Sequence, residues 1–214
     1  MTVSMADVPD IVVGRLPIYL RALTQLSETG QEITSSHELG ERLGISSAQI
    51  RKDLSHFGTF GKQGTGYRIN ELKERLRHIL HVDRHWEVAL VGAGDLGHAL
   101  ARYGGFRACG FDITMIFDND PAKIGVHIGT RVIEDIAVMQ ERIRAAGIKL
   151  AMVAVPAGEA QAVANRLVEA GVAGILNYAA TTISVPAHVR LQYIDPVIHL
   201  QRMTFYVEPV SQVG

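Results

Sequence analysis

EVALVGAGDLGHALARY, residues 87–103, joins a short apolar run to a glycine-rich turn and then to a helix-like stretch. Residues 87–91 read as a buried strand. Gly92, Ala93, Gly94, Asp95, Leu96 and Gly97 then form G-x-G-x-x-G between strand and helix, the context that makes the motif a dinucleotide site. Gly92 makes the tight turn, Gly94 lets the backbone approach a pyrophosphate, and Gly97 permits close packing of helix on strand. The helix read over 98–103 follows, and its N-terminal end offers unpaired N–H groups and a partial positive charge to phosphates. A second strand, 113–117, ends at Asp118, 24 residues after Gly94. This is close to the usual spacing of ~20 for the carboxylate that accepts from the adenosine ribose 2′-OH. A carboxylate there repels a 2′-phosphate and no Arg directly follows it, so NAD(H) is expected over NADP(H).

Downstream the pattern alternates between helical and strand-like stretches. Residues 132–146 read as a helix, 150–155 as a buried strand running into Pro156, 159–170 as a helix stopped by Gly171, and 175–178 as a further strand. Such alternation predicts an α/β domain with a parallel sheet and helices on both faces. Ligands in these sheets sit beyond the carboxyl ends of the strands, which adds Val155, Pro156, Asn177 and Tyr178 to the expected cofactor contacts. A dehydrogenase also needs a proton-transfer group near the nicotinamide. The strand ends there carry Val155, Pro156 and Ala157, then Ala179, Ala180 and Thr181. Tyr178 and Thr181 are the nearest candidates and both read as structural. A non-enzymatic nucleotide-binding protein is therefore expected, with an NAD-dependent oxidoreductase and a CoA-binding protein as the competing readings.

Upstream, from about 11 to 80, the apolar residues recur at helical spacing. Leu16, Tyr19, Leu20, Leu23 and Leu26 line one face of a first helix ended by Gly30. Ser36 is the expected cap of a second helix closed by Gly44, and a third begins at Ser46 or Ser47. In the third, Ile50, Leu54 and Phe57 face inward and Gln49, Arg51, Lys52, Ser55 and His56 outward. Two helices joined by a tight glycine turn predict a helix-turn-helix whose last helix enters the DNA major groove. The segment 57–67, with four glycines before Tyr67, reads as a hairpin wing. Between Arg51 and Arg77 there are seven Lys or Arg against three acids, a local basic patch. The expected DNA contacts are Ser46, Ser47, Gln49, Arg51, Lys52, Ser55, Lys62, Gln63 and Tyr67, reaching phosphates or base edges.

Composition sets the outer limits. The 214 residues are 47% hydrophobic and carry a net charge of −1, which excludes a disordered chain and a globally polybasic one. The lone Cys109 cannot form an internal disulfide and reads as a small core residue. His78, His81 and His85 read as a solvated helix face, so no metal is expected. The sequence shows no apolar stretch of the ~18 residues that a membrane helix needs. Asp7, Pro9 and Asp10 stand where a secretion signal would need a basic head and an apolar run, so a cytoplasmic location is expected.

Taken in order, GRLPIYLRAL (14–23), SSAQIRKDLSHFG (46–58), FGKQGTGY (60–67), VGAGDLGHAL (91–100) and GILNYA (174–179) resemble the Rex family of NAD(H)-sensing bacterial repressors, over nearly the whole chain. The resemblance implies a winged-helix domain over 1–80, a Rossmann-like NAD(H)-binding domain over 81–195, and a terminal helix over 196–214 swapped onto the partner of a homodimer. It also implies that the apo or NAD⁺ form holds palindromic operator DNA and that NADH releases it by closing the Rossmann domains on one another. Arg15, Tyr103 and Asp195 match a polar cluster implied to sense the redox state, with Asp195 pairing with Arg15 in one state and Tyr103 in the other. Two positions depart from the family pattern. Ala180 replaces a usual Pro, and Pro196 stands where an apolar side chain often contacts the nicotinamide pocket.

Overall fold

The computed structural model describes residues 8–61 and 66–207, and the chain divides into two compact units between Arg84 and His85. The first unit contains α1 (Asp10–Glu28), β1 (Ile33–Thr34), α2 (Ser36–Leu43), α3 (Ser47–Ser55), β2 (Tyr67–Arg68) and α4 (Ile69–Ile79). Ser35 rather than Ser36 caps α2, its side chain accepting from the Glu38 N–H, and Ser46 caps α3 by accepting from the Gln49 N–H. Leu16, Leu23, Leu39, Ile50, Leu54 and Leu76, from four helices, meet in one core. The turn between α2 and α3 is tight because Gly44 closes α2 at φ +66° and Gly40 lies against the Ile45 carbonyl oxygen. A Cβ at Gly40 would enter that oxygen, so Gly40→Ala is expected to destabilise the unit by about 1–3 kcal/mol, read as a lower melting temperature by circular dichroism.

The turn of the hairpin expected over 57–67 lies outside the described residues, and its described arms do not pair with each other. Instead, β2 pairs with β1, which precedes α2, in the antiparallel register Ile33↔Arg68 and Thr34↔Tyr67. The physical reason lies in Phe57 and Phe60, which lack strand alternation and pack inward on the helical core. Arg75 of α4 also lies 4.6 Å over the Phe60 ring and donates to the Thr59 carbonyl at 3.2 Å, tying the segment to a helix.

The second unit holds a sheet of seven strands among the described residues: β3 (Trp86–Val91), β4 (Phe111–Asp118), β5 (His127–Ile128), β6 (Arg131–Asp135), β7 (Leu150–Val153), β8 (Gly174–Asn177) and β9 (Arg190–Tyr193). Their spatial order is β5-β6-β4-β3-β7-β8-β9, and every pair except β5–β6 is parallel. The strand order reverses beside β3, the position at which doubly wound sheets open a ligand crevice. Helices α5 (Asp95–Arg102) and α6 (Gly105–Ala108) cover one face, where Leu100 and Phe106 pack on the layer of Val88, Leu90 and Ile116. On the other face α7 (Met139–Ala146) and α8 (Ala160–Glu169) place Met139, Ile143, Val163 and Leu167 on Ala89, Val91 and Val153.

Residues 132–146 do not form one helix as the sequence pattern predicts. The first part is strand β6, set by Ile133 pairing beside Ile116 of β4, and only after a 3-10 turn over Ile136–Val138 does α7 begin. The helix expected over 98–103 starts earlier, at Asp95 inside the glycine motif. Cys109 is exposed rather than in the core, because it follows the short surface helix α6. The last helix, α9 (Pro196–Val207), starts at Pro196, a residue tolerated at the first helical position. It buries none of its residues; Leu200, Met203, Phe205 and Tyr206 are all exposed. Among the described residues no helix is long and apolar enough to cross a membrane.

Candidate dinucleotide and nucleic-acid sites

Two backbone bonds shape the glycine turn: the Gly92 N–H donates to the Phe117 carbonyl at 2.8 Å and the Ala154 N–H to that of Val91 at 2.8 Å. Gly92 sits at φ +100°, a conformation that favours glycine, and a Cβ there would strike the Ala154 carbonyl oxygen and crowd Val155. A Cβ at Gly97 would enter the Gly92 carbonyl oxygen, so α5 rests directly on the turn. Gly94 differs, since a Cβ there would meet nothing within 4 Å. Protein packing does not require this glycine, whereas a ligand lying against the backbone would. Gly94 is also the N-cap of α5 and brings no side-chain cap, which leaves the start of the helix open toward that space. A pyrophosphate fits this cradle, with Asp95 and Leu96 in the first helical turn.

Asp118, at the end of β4, is buried. Its carboxylate accepts from the Ala93 N–H at 2.7 Å, the Asp120 N–H at 2.9 Å and Lys123 Nζ at 3.3 Å. Burial alone would push its pKa up; the two backbone bonds and Lys123 outweigh this and hold it below the usual carboxylate range. Asp118 therefore stays ionised while it fastens the glycine turn, and Lys123 is a partner that sequence spacing did not reveal. Asn177 is buried at the end of β8, where its side chain bonds Ala179 and the Thr181 carbonyl. Its amide shapes the loop after β8 rather than reaching into the crevice. Tyr178 is half-buried, and burial pushes its hydroxyl pKa up. Val155 and Pro156 lie directly after β7, with Val155 against the turn.

Each residue of the implied redox cluster has its own surroundings within its unit. Arg15 forms an ion pair with Asp53. Asp195 accepts from the Val197 N–H at 2.9 Å and so caps α9. Tyr103 ends α5, 62% exposed, with its ring edge-on to Phe106 at 5.1 Å.

On α3, Arg51, Lys52 and Ser55 are exposed, and Ser47 is half-buried. Ser46 is exposed but holds the helix cap, and the Ser55 hydroxyl donates to the Lys52 carbonyl at 2.7 Å. Arg51 Nη1 donates to Ser36 Oγ at 3.0 Å, joining α3 to the start of α2. Burial pushes the pKa of Tyr67 up against the opposing influence of Arg51 and Ser36. Gln49 departs from its outward assignment, since its Nε2 donates to Asp53 Oδ1 at 2.6 Å. Lys62 and Gln63 lie outside the described residues. Sequence reasoning missed Asp53, which is fully buried. The signal was its position, three residues after Ile50 and four before Phe57 on the inward stripe, where a charged residue requires partners.

The family model described as a DNA-binding protein N-terminus matches residues 7–55, and that described as a CoA binding domain matches residues 83–181. A protein of Chloroflexus aurantiacus named redox-sensing transcriptional repressor Rex is 53% identical over 199 residues, covering 93% of this chain and 94% of its own length. The solved structure of RSP in complex with beta-NADH aligns at TM-score 0.86 and 32% identity over 94% of each chain. RSP in complex with beta-NAD+ and operator DNA aligns at TM-score 0.87 and 35% identity, over 97% of this chain and 93% of that one. A winged-helix unit and a Rossmann-like unit, matched in order and end to end at this identity, establish that the chain belongs to the Rex family of redox-sensing transcriptional repressors.

Proposed function

We propose that the chain is a cytoplasmic, homodimeric repressor that holds palindromic operator DNA through α3 and the wing and is released by NADH bound at the glycine turn. The observation that carries this reading is the open cradle at Gly94 beside the uncapped start of α5, in one chain with a helix whose exposed face carries Arg51 and Lys52. Asp118 supports NAD(H) over CoA or NADP(H), because a buried ionised carboxylate suits free ribose hydroxyls and repels a ribose phosphate. A dimer reading two half-sites needs its reading helices about 34–36 Å apart, so a rotation of domains releases DNA without breaking any one contact first. NADH shifts the equilibrium only by binding the released state more tightly than the DNA-holding one. Arg15, Tyr103 and Asp195 are the residues on which we place that discrimination. Asp195 exchanges its cap on α9 for one of the other two.

The test is release of immobilised duplex, selected by the protein from fragments of its genome, during titration with NADH, NAD⁺ and CoA. Release by NADH alone, with no change in total cofactor absorbance, is the expected result; turnover of cofactor, or competition by CoA, overturns the reading. Lys52→Ala is expected to weaken duplex binding about tenfold at 0.1 M salt and to lower its salt slope by about one. NADH affinity should stay at the wild-type value, and a parallel loss of both would mean that Lys52 serves the fold.

A further inference from the structure

Asp53 has no exposed surface, although it lies on the same helix as the DNA-facing side chains. Its carboxylate accepts from Arg15 Nε at 2.5 Å and Nη2 at 2.7 Å, from the Tyr19 hydroxyl at 2.6 Å and from Gln49 Nε2 at 2.6 Å. Arg15 and Tyr19 stand one turn apart on α1, so a planar fork and a phenol bind α3 to α1 at two points. Burial would push the Asp53 carboxyl up, and the bonds from Arg15, Tyr19 and Gln49 outweigh it, so the group stays ionised.

An apolar side chain of similar volume would keep such a unit folded about as well, because a buried ion pair adds little over good packing. What the fork adds is direction. Apolar contacts are non-directional and let a helix roll, whereas a bidentate guanidinium fixes the acceptor's orientation. Arg51 and Lys52 directly precede Asp53, so the roll of α3 sets where their side chains leave the surface.

We infer that Asp53, held by Arg15 and Tyr19, is the positioning residue of the reading helix. The inference rests on the DNA-reading role proposed above. Arg15 is 18% exposed and uses Nε and Nη2 for Asp53, with Nη1 as its remaining donor group.

The experiment measures binding of a duplex retained by the wild-type protein, by fluorescence anisotropy, together with NADH affinity by fluorescence titration. Asp53→Asn removes a negative charge from a DNA-facing helix, so electrostatics alone predicts tighter binding. Positioning predicts the opposite, at least a thirtyfold loss with NADH affinity unchanged. Tyr19→Phe, which keeps the ring in the core and removes one bond, is expected to lose several-fold. Leu54→Ala, which loosens the same helix through packing, is the control. If its duplex affinity falls as far as that of Asp53→Asn for the same loss of melting temperature, Asp53 is merely structural and the inference fails. Wild-type binding by Tyr19→Phe also overturns it, even if Asp53→Asn does not fold. If the wild-type protein retains no duplex while still binding NADH, the DNA-reading role itself is overturned and the inference with it.

Discussion

Gly97→Ala is expected to reduce NADH affinity at least a hundredfold, about 2.7 kcal/mol, while leaving duplex binding within a few-fold of wild type. The added Cβ would enter the Gly92 carbonyl oxygen. Backbone lies on both sides of that contact, so no flexible side chain can yield, and α5 must lift from β3. The open helix end at the phosphate cradle is lost with it. The resulting protein should hold DNA and ignore NADH, a constitutive repressor in the release assay. Gly94→Ala separates the two kinds of glycine. Its Cβ meets no atom within 4 Å, so the melting temperature should be unchanged, yet NADH affinity should fall at least tenfold because the methyl occupies the pyrophosphate's space. Wild-type NADH binding by Gly94→Ala would show that the space serves another purpose.

A paired change in α9, Leu200→Glu with Phe205→Glu, is expected to convert the proposed dimer to a monomer. Leu200 and Phe205 are 59% and 64% exposed, on a helix that also presents Met203 and Tyr206. Contiguous apolar surface of this kind marks an interface. With only one reading helix per particle, the gain of about 10²–10⁴ from bivalent attachment disappears. Duplex affinity should fall by that order and the salt slope by about half. NADH titration would still saturate, since the glycine turn is built from one chain. Sedimentation at several concentrations measures the first effect; a persistent dimer would place the interface elsewhere.

The dinucleotide turn was legible because its chemistry is local: Gly92 and Gly97 are demanded by backbone atoms a few residues away or on the adjoining strand. Helix α3 and its inward face were equally legible from Ile50 and Leu54. Strand β6 was not, because Val132 and Ile133 run without a break into the helical spacing of Met139 and Ile143, and a two-residue partner, β5, gives almost no signal of its own. The pairing of β1 with β2 joins residues more than thirty apart, and no period in the intervening helices announces it. Asp53 escaped because charge reads as exposure until partners appear, and two of them, Arg15 and Tyr19, come from another helix. Lys123 is hidden in the same way, in a loop that only the fold returns to Asp118.

That short ladder between β1 and β2 has a further consequence for how the molecule can change. It closes the chain on either side of α2 and α3, and the closure is so tight that a Cβ at Gly66 would enter the Thr34 carbonyl oxygen. The helix proposed to read DNA, α3, thus hangs from a clasp as part of an interchangeable cassette. Its inner residues, Leu39, Ile50 and Leu54, must suit the shared core, while its outer ones are free to drift toward a new operator. Grafting residues 35–66 between relatives should carry sequence preference with it and leave the response to NADH behind.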